Sequence, residues 1–434
     1  FWLKRCSPLA GDVSGEGGVA GMASAADGML RSPTFFVGAE RQKRNLQDFQ
    51  RREQQLSEAY SKNKPLCFNA RSYQKTHPAK AAKGHKDADA CLAAPMILGV
   101  ADGVSQIEDF GIDASELPNE LLKVCEELGM YQLRPETHMA MQDSYRGPIP
   151  MLRRAFEATE SLGSLTVVLA IMDNSTRIHG KRHPMVAIIT IGDCELLILR
   201  RIEGKMAPLQ AVCHTEMQRI DGHVQTPLQL ARVDDRIDPD FTEEITIEVI
   251  EKGSAVHCIS AYEGDIVIMG SDGVFDNLFL DEIVEICNDI LVPSKGGEFT
   301  PMPPSMLSQV AQRIVKDSHS KSDAQGGQFL DTPIGKGGKV DDTSVVVAEI
   351  VEWTDAHKEI WSQVRRNRKW NSVLSCGGMQ CGGGGGGRGA CNTCEADDDE
   401  DRKAGRGKSR PGSADDASEG SGSEDGGEGS GCAI

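Results

Sequence analysis

Apolar residues in the middle of the chain occur in two kinds of run. Short, continuous and often β-branched runs predict buried strands, at residues 95–101, 164–172, 185–192, 195–201, 244–250, 265–270 and 343–351. Longer runs with apolar residues three and four apart predict amphipathic helices, at residues 117–130, 149–162, 280–291 and 304–319. Several predicted strands follow one another closely, which favours antiparallel sheets covered by helices over a regular parallel sheet.

The pattern divides the chain into three parts. Residues 1–64 are rich in small residues or are polar with sparse apolar positions, which predicts a disordered or weakly helical leader. Residues 65–355 carry the predicted strands and helices and form the predicted globular domain. Residues 356–434 become Gly-rich and then acidic, which predicts a disordered tail. Four cysteines of this tail could bind zinc, but their loose spacing favours unpaired thiols: Cys376, Cys381, Cys391 and Cys394.

Composition narrows the possible partners. The formal net charge of −18 disfavours a nucleic acid or an anionic membrane, because both require clustered Lys and Arg. No apolar run approaches ~20 residues, so no transmembrane segment is expected. The cysteines of the central region are scattered, which favours reduced thiols in an intracellular protein of the cytoplasm or nucleus.

Aspartates border the apolar runs at five places. They are Asp87 with Asp89, Asp102, Asp193, Asp272, and Asp341 with Asp342. Taken singly, each is more typical of a surface turn, and Asp193 resembles the turn of a hairpin. Taken together at the ends of packed strands, these acids would repel one another and lose solvation, so the cluster requires cations. Oxygen ligands without paired His or Cys indicate Mg²⁺ or Mn²⁺.

The order of these motifs resembles the metal-dependent Ser/Thr protein phosphatase family, type 2C. The motifs are Asp-Ala, Val-Ala-Asp-Gly-Val, Gly-Ser-x-Thr, Gly-Asp-Cys, Ser-Asp-Gly-Val-Phe-Asp-Asn and Asp-Asp-x-Ser-Val, spread over residues 83–352. More narrowly, the chain is similar to the Asp-Gly-Val branch, which includes the T-cell-activation-type and mitochondrial phosphatases. The resemblance implies an α+β fold, a four-layer α/β/β/α sandwich of two antiparallel sheets flanked by helices. It also makes the mitochondrion an alternative compartment.

The resemblance implies a site for two Mg²⁺ or Mn²⁺ ions. Asp102 matches the carboxylate that bridges both ions, and the carbonyl of Gly103 matches a ligand of the second ion. Asp272 and Asp341 match ligands of the first ion. Asp89 matches the acid that holds metal-bound water.

A third, weaker ion is also implied, with Asp193 matching its acid. The implied catalytic residues are Asp102, Asp272 and Asp341. The implied reaction is hydrolysis of phosphoserine or phosphothreonine in phosphoprotein substrates, by attack of a hydroxide that bridges the two metal ions. No covalent phosphoenzyme is needed.

Two departures concern the second ion. Ala88 stands where the family usually has Glu, and Asp87 or a water is the candidate substitute. Ser105-Gln106 replaces two glycines of the branch. These departures leave open an alternative function, a catalytically weak or inactive pseudophosphatase that acts as a binding module.

The sequence lacks the family's usual residues for two further roles, at the leaving group and at the phosphate. Val104 replaces a histidine near the leaving group, which leaves His85 as a candidate proton donor. The family's phosphate-binding arginine is missing, and Lys83 and Lys86 are candidates for its role.

The residues after Asp272 have a separate expected role. We expect Asp276-Asn277 to start the helix 280–291 through a side-chain cap. Loss of Asp276 should then reduce mainly stability, whereas loss of Asp272 should abolish metal-dependent turnover.

Overall fold

The computed structural model describes residues 64–133, 135, 145–178, 181–220, 226–293, 299–322 and 329–367. The predicted leader up to residue 63 lies outside the described residues. The predicted tail begins with a helix at Asp355–Asn367, and from residue 368 it lies outside the described residues, together with its four cysteines. Within the described ranges, no helix combines the length and the apolar character that crossing a bilayer requires.

The strands are numbered in chain order. They are β1 Leu66–Lys75, β2 Ala90–Ala93, β3 Ile97–Gly103, β4 Gly163–Asp173, β5 Arg177–Ile178, β6 Lys181–Arg182, β7 Met185–Ile191, β8 Glu195–Arg200, β9 Gln210–His214, β10 Leu230–Arg232, β11 Ala255–Ser260, β12 Ile266–Gly270, β13 Asp331–Thr332, β14 Gly335–Lys336 and β15 Thr343–Glu352.

The helices are numbered in the same way. They are α1 Pro78–Ala81, α2 Glu116–Gln132, α3 Pro148–Glu157, α4 Glu243–Glu248, α5 Asp272–Phe275, α6 Leu280–Ile290, α7 Pro304–Lys321 and α8 Asp355–Asn367. A 3₁₀ helix covers Ser105–Phe110, and a π-helical turn covers Val249–Gly253.

Two antiparallel sheets pack face to face. The first sheet has the strand order β1-β15-β12-β8-β9, and the second has the order β11-β7-β4-β3-β2 with β10 beside β4. Contacts of β1 with β2, and of β15 with β2 and β3, join the sheets. Helix α7 covers β1 and β15 with α6 beside it, while α2 and α3 cover the second sheet. The predicted α+β fold with four α/β/β/α layers is therefore confirmed.

The central strands are buried on both faces. Every residue of β12 is buried, and so is every residue of β15 except the last. A strand covered on both faces needs apolar residues at successive positions, which explains the continuous runs in the sequence. On the outer face of the first sheet, Leu197, Ile268 and Val345 pack against Ile283 of α6 and Ile314 of α7.

Two short connections carry the chain from one sheet to the other. Gly192-Asp193-Cys194 joins β7 of the second sheet to β8 of the first. The prediction of a hairpin at Asp193 is therefore wrong, because β7 pairs with β4 and β11 while β8 pairs with β12 and β9. At the opposite end of the first sheet, residues 261–265 join β11 to β12, and Arg200 Nε donates to Asp265 Oδ1 at 2.8 Å.

The predicted strand at 244–250 is also wrong. Residues 243–248 form α4, and the π-helical turn follows directly. Thr246 and Ile250, four residues apart, are the buried residues of this segment, and Thr246 Oγ1 donates to the carbonyl of Ala231 at 2.6 Å. The alternation of Glu and β-branched residues suggested a strand, but the buried positions have the helical spacing.

The remaining predicted strands and helices are present with shifted ends. The largest shift is in α3, which ends at Glu157 rather than at residue 162. Strands β1, β2, β9 and β11 were not predicted, and neither were the two- and three-residue strands β5, β6, β10, β13 and β14. Strand β1 reads LCFNARSYQK and is buried mainly in its first half, so it has neither a continuous apolar run nor a regular alternation.

Candidate metal centre

In the second sheet, two neighbouring strand ends carry Asp89 and Asp102. Strand β2 begins immediately after Asp89, and Asp102 lies at the end of β3. These strands are antiparallel, with Ala90 opposite Ala101, so Asp89 lies beside the end of β3. The antiparallel register therefore brings together two acids that are thirteen positions apart in sequence.

In the first sheet, two neighbouring strand ends carry Asp272 and the pair Asp341 and Asp342. Asp272 follows the end of β12, and Asp341 and Asp342 precede the start of β15. The two ends are joined by reciprocal bonds: Ser271 N donates to Ser344 O, and Ser344 N donates to Ser271 Oγ, each at 3.1 Å. These bonds hold the acids of both strands at one edge of the sheet.

The glycines after Asp102 and Asp272 have no room for a side chain. A Cβ on Gly103 would lie 2.3 Å from the carbonyl oxygen of Ala114 and 2.6 Å from that of Ala88. A Cβ on Gly273 would lie 2.1 Å from the carbonyl oxygen of Asp342. Both Asp-Gly pairs are therefore positions of close backbone packing rather than solvent-exposed turns.

The acids of the two sheets are close enough to affect one another. Burial raises the pKa of Asp102 well above its usual range, and the charges of Asp89, Asp272 and Asp341 raise it further. Burial also raises the pKa of Asp89 to about 8, with an added contribution from Asp87. One carboxylate changes the pKa of another only at short range. Asp89, Asp102, Asp272 and Asp341 therefore form one acidic cluster.

Two lysines pair with this cluster on the side of the first sheet. Lys80 Nζ lies 2.8 Å from both Asp341 Oδ1 and Asp342 Oδ2. Lys339 Nζ lies 2.8 Å from Asp341 Oδ2 and also contacts Asp272 Oδ2. Burial would raise the pKa of Asp341, but Lys339 and Lys80 together lower it below its usual value. Each oxygen of Asp341 therefore has its own ammonium partner.

Lys80 reaches the cluster from the short helix α1. His77 begins this helix, and its Nδ1 accepts a hydrogen bond from Ala79 N at 3.1 Å. Its Nε2 lies 2.8 Å from Ser322 Oγ, and Pro78 takes the first helical position, where its missing N–H has no cost. The helix start is thus fixed by a buried histidine, and Lys80 lies three residues after this histidine.

Lys339 is positioned through its backbone by Asn277. Asn277 is completely buried. Its Oδ1 accepts from Lys339 N at 2.6 Å, and its Nδ2 donates to Lys339 O at 3.0 Å and to Gly273 O at 2.9 Å. One side chain therefore joins the segment that carries Asp272 to the segment that carries Lys339.

These bonds also correct the predicted cap. Asn277 does not start the helix after it, because its side chain is engaged elsewhere. Helix α6 begins at Leu280, and Phe279 N donates to Glu282 Oε2 at 2.9 Å. The prediction that Asp276-Asn277 cap this helix is therefore wrong.

A second acidic group adjoins the cluster. Burial and, to a smaller extent, the charge of Asp272 raise the pKa of Asp193 to about 6 and that of Asp276 to about 7. Arg219 Nη2 lies 3.7 Å from Asp276 Oδ1. Sequence reasoning gave Asp276 a supporting role, although its position one helical turn after Asp272 indicates the same face.

The position at which the family resemblance implies an acid for the second ion is apolar in this chain. Ala88 is buried with Ile107, Ile112 and Ala114 in a small apolar cluster. Asp87 remains close, because its Oδ1 accepts from Asp89 N at 3.1 Å. Asp87 is therefore the nearest available substitute in sequence for the missing acid.

The three basic candidates from the sequence lie on the surface. Lys83, His85 and Lys86 are all exposed, and Lys86 Nζ pairs with Asp113 Oδ2 at 3.1 Å. The positive charge beside the acidic cluster comes instead from Lys80 and Lys339. Lys339 stands two residues before Asp341 in the sequence Gly-Gly-Lys-Val-Asp-Asp, which could have indicated that it lies near the cluster. No such local signal marks Lys80.

The donor set fits a hard divalent cation. Within the described ranges, four buried carboxylate oxygens of the cluster and its adjoining group have no hydrogen-bond partner: Asp89 Oδ2, Asp272 Oδ1, Asp276 Oδ1 and Asp342 Oδ1. Buried unpaired carboxylate oxygens are costly without a cation, and oxygen donors match Mg²⁺ and Mn²⁺. No group of three or more His, Cys, Asp or Glu in the described part converges on one point as formed metal ligands do. The lysine pairs agree with this, since both Asp341 oxygens face ammonium groups.

Comparison with known proteins finds curated relatives of similar sequence. No family model matches the chain. Over 291 residues it is 28% identical to Probable protein phosphatase 2C 55 of Arabidopsis thaliana, covering 66% of this chain and 52% of that protein. Over 288 residues it is 28% identical to Probable protein phosphatase 2C 26 of the same plant, covering 63% and 81%. The chain is similar to the type 2C protein phosphatases.

The similarity to type 2C proteins extends beyond plants. Protein phosphatase PTC7 homolog of Xenopus laevis is 25% identical over 289 residues, covering 62% of this chain and 82% of that protein. The family resemblance that the motifs predicted is thus confirmed. The chain spans about half the length of the first Arabidopsis relative, the one with 52% coverage.

Solved structures give a further comparison. The X-ray structure of the photosystem II phosphatase PBCP has a TM-score of 0.45 and 23% identity, covering 65% of this chain and 98% of that one. The catalytic domain of the serine threonine protein phosphatase PstP, in complex with 2 manganese ions, has a TM-score of 0.38 and 17% identity, covering 66% and 100%.

Proposed function

We propose that this chain is a metal-dependent protein serine/threonine phosphatase that hydrolyses phosphoserine and phosphothreonine in phosphoprotein substrates. The observation that carries the proposal is the meeting of four strand ends from two sheets at Asp89, Asp102, Asp272 and Asp341. The similarity to type 2C protein phosphatases supports it.

The proposed cofactor is Mg²⁺ or Mn²⁺, as two ions with a third, weaker one. Asp272 and Asp341 would hold the first ion, and Asp102 would be shared between both. The carbonyl of Gly103 and the carboxylate of Asp89 would serve the second ion. When bound, such ions lower the pKa of water and neutralise the charge that develops on phosphoryl oxygens.

The third ion would lie beside the acids of the adjoining group. Asp193 is the residue that the family resemblance assigns to it. Asp276 and Asp272 are its neighbours, since the charge of Asp272 raises the pKa of both Asp193 and Asp276. We therefore add Asp276 to the residues proposed for this ion.

The chain's own residues have two further tasks in the proposed reaction. Lys80 offers positive charge at the edge of the cluster, where a phosphate dianion would be attracted. Gly103 and Gly273 keep the backbone tightly packed, so that the aspartates before them have fixed positions. Rigid placement of charged groups is a main source of catalysis in phosphoryl transfer.

The test is turnover of a phosphothreonine peptide with Mn²⁺ or Mg²⁺. We expect activity that EDTA removes and that added Mn²⁺ restores. Asp272→Asn should lower kcat/KM about a hundredfold or more, because it removes a ligand charge where the transition state needs it. Asp281→Asn, an exposed acid in the first turn of α6, is the control and should keep the activity.

Two outcomes would contradict the proposal. The first is a folded wild-type protein that binds Mn²⁺ yet does not hydrolyse phosphopeptides, which would favour the inactive binding module. The second is equal activity of the wild type and Asp272→Asn, which would place the reaction elsewhere.

A further inference from the structure

Lys339 lies where a divalent cation would bind the acidic cluster. Its Nζ contacts Asp272 Oδ2 and lies 2.8 Å from Asp341 Oδ2, and these two acids are the ones proposed for the first ion. An ammonium group and a divalent cation repel each other strongly at such short range. We propose that Lys339 is a tethered competitor for this cation, so that cation binding requires its ammonium group to leave Asp272 and Asp341.

The backbone around Lys339 holds the competitor in place. Asn277 bonds both the N and the O of Lys339, and it also bonds the carbonyl of Gly273, the residue after Asp272. The backbone of Lys339 is therefore fixed relative to one of its two acidic partners. Any release of Asp272 and Asp341 must come from rotation of the lysine side chain.

The side chain of Lys339 is able to leave. It is 36% exposed, compared with 17% for Lys80, and its four-carbon stem is flexible. Lys80 uses other oxygens, Asp341 Oδ1 and Asp342 Oδ2, so it can keep its contacts when Lys339 departs. Of the two lysines, Lys339 is thus the one whose departure frees Asp272 together with Oδ2 of Asp341.

The competition has two consequences. Cation affinity should be lower than the carboxylates alone would give, since each binding event must first break two charge-assisted hydrogen bonds. The protein without a cation should be more stable than it would be without Lys339, because the ammonium group offsets the charges of Asp272 and Asp341. The inference rests on the cation site of the proposed function, but not on turnover.

The first experiment compares Lys339→Met with Lys336→Met by calorimetric titration with MnCl₂. Lys336 is exposed and lies three residues earlier in the same segment, so both variants lose one positive charge from this segment. We expect the dissociation constant of Lys339→Met to fall about tenfold, the equivalent of about one charge-assisted hydrogen bond. Lys336→Met should stay close to the wild type. An equal or weaker affinity of Lys339→Met, relative to Lys336→Met, would overturn the inference.

Thermal unfolding of the same proteins gives a second readout. In EDTA, Lys339→Met should have a lower Tm than Lys336→Met, because its acids have lost a counter-charge. In saturating MnCl₂ this deficit should vanish, because the cation then supplies the charge. A deficit that is the same with and without Mn²⁺ would mean that Lys339 has only a structural role.

A third experiment uses the wild-type protein and so does not depend on the folding of a variant. Lysines are acylated briefly with and without MnCl₂, and the modified positions are quantified by mass spectrometry. Labelling of Lys339 should rise with Mn²⁺, while Lys336 serves as the internal control and should not change. Unchanged or reduced labelling of Lys339 at saturating Mn²⁺ would refute the competition. All three readouts can succeed in a protein without phosphatase activity, so failure of the proposed function would be recognised separately.

Discussion

Asp341 and Asp102 come from the two halves of the candidate metal centre and lie in opposite electrostatic surroundings. On the first sheet, Lys80 and Lys339 pair with Asp341, and its pKa is lowered. On the second sheet, burial and neighbouring acids raise the pKa of Asp102, and that of Asp89 to about 8. The pKa of an aspartate at a buried strand end therefore depends on the groups around it. Segments that are distant in sequence set this pKa, because they either place a lysine ammonium group beside the carboxylate or leave it without one.

The largest effects that test this comparison are expected for the variants Asp341→Asn and Asp102→Asn. Both variants should lower metal-dependent kcat/KM about a hundredfold or more if the proposed function holds. In EDTA at neutral pH, however, their stabilities should change in opposite directions. Asp341→Asn should lower the free energy of unfolding by about 1–2 kcal/mol, because two partly buried ammonium groups lose a partner.

Asp102→Asn should instead raise the free energy of unfolding. Burial makes the charged form of Asp102 unfavourable in the folded state, a cost in free energy that the neutral amide avoids at neutral pH. Urea unfolding of both variants in EDTA measures the two changes. Equal destabilisation of both variants would show that Asp341 and Asp102 do not lie in opposite electrostatic surroundings.

The next test concerns a buried carboxyl outside the centre. Glu349 lies in β15 opposite Ile266, far from Asp341 along the same strand, and its Oε2 accepts from Met302 N at 2.6 Å. Burial raises its pKa to about 7 from a usual value of 4.5. Below about pH 4.5 the group is protonated in both the folded and unfolded states, so it contributes no pH dependence there.

Between these two pKa values the folded state binds the proton more tightly, so stability falls as pH rises from about 4.5 to about 7. Glu349→Gln should remove this fall, and its advantage over the wild type should grow by about 2–3 kcal/mol between acidic and mildly alkaline pH. Urea unfolding at several pH values measures this. A constant difference between the two proteins across that range would show that Glu349 is not protonated preferentially in the folded state.

The smallest test compares two lysines of one segment. Lys80→Met should lower the free energy of unfolding by about 1–2 kcal/mol in EDTA, because Asp342 is buried and would lose its ammonium partner. Lys86→Met should leave stability unchanged within error, since the Lys86–Asp113 pair is exposed to solvent. Equal effects of both substitutions on Tm would mean that the paired lysine near the cluster is worth no more than a surface lysine.

Sequence reasoning located the acids because strand ends leave a local signal. Asp102 and Asp272 each follow a continuous apolar run and precede Gly-Val, and a buried strand on both faces produces such a run. Asp89 and Asp341 precede the strands that pair with these two. The pairing of these strands is known only from the structure, because β2 was missed in the sequence and the roles of the four acids were implied by the family resemblance.

The same reasoning could not predict which lysine side chains pair with these acids. Lys80 lies on a helix of four residues and reaches Asp342, which is 262 positions away in sequence. The role of Asn277 was also hidden, because an Asn before a helix is a common cap and its long-range bonds to Lys339 have no local signal. At 243–253 the local alternation was misleading, since the contact of Thr246 with β10 decides that the segment is helical.

The two short connections between the sheets have a mechanical consequence. One lies at Gly192-Asp193-Cys194 beside the acids, and the other lies at the far end, where Arg200 and Asp265 are paired. A sandwich fastened at both ends cannot slide one sheet over the other without breaking strand pairing. The amides of β7 and β12 should accordingly exchange with deuterium only through global unfolding. The backbone then fixes the distance between carboxylates from opposite sheets, and this distance is already set before an ion binds.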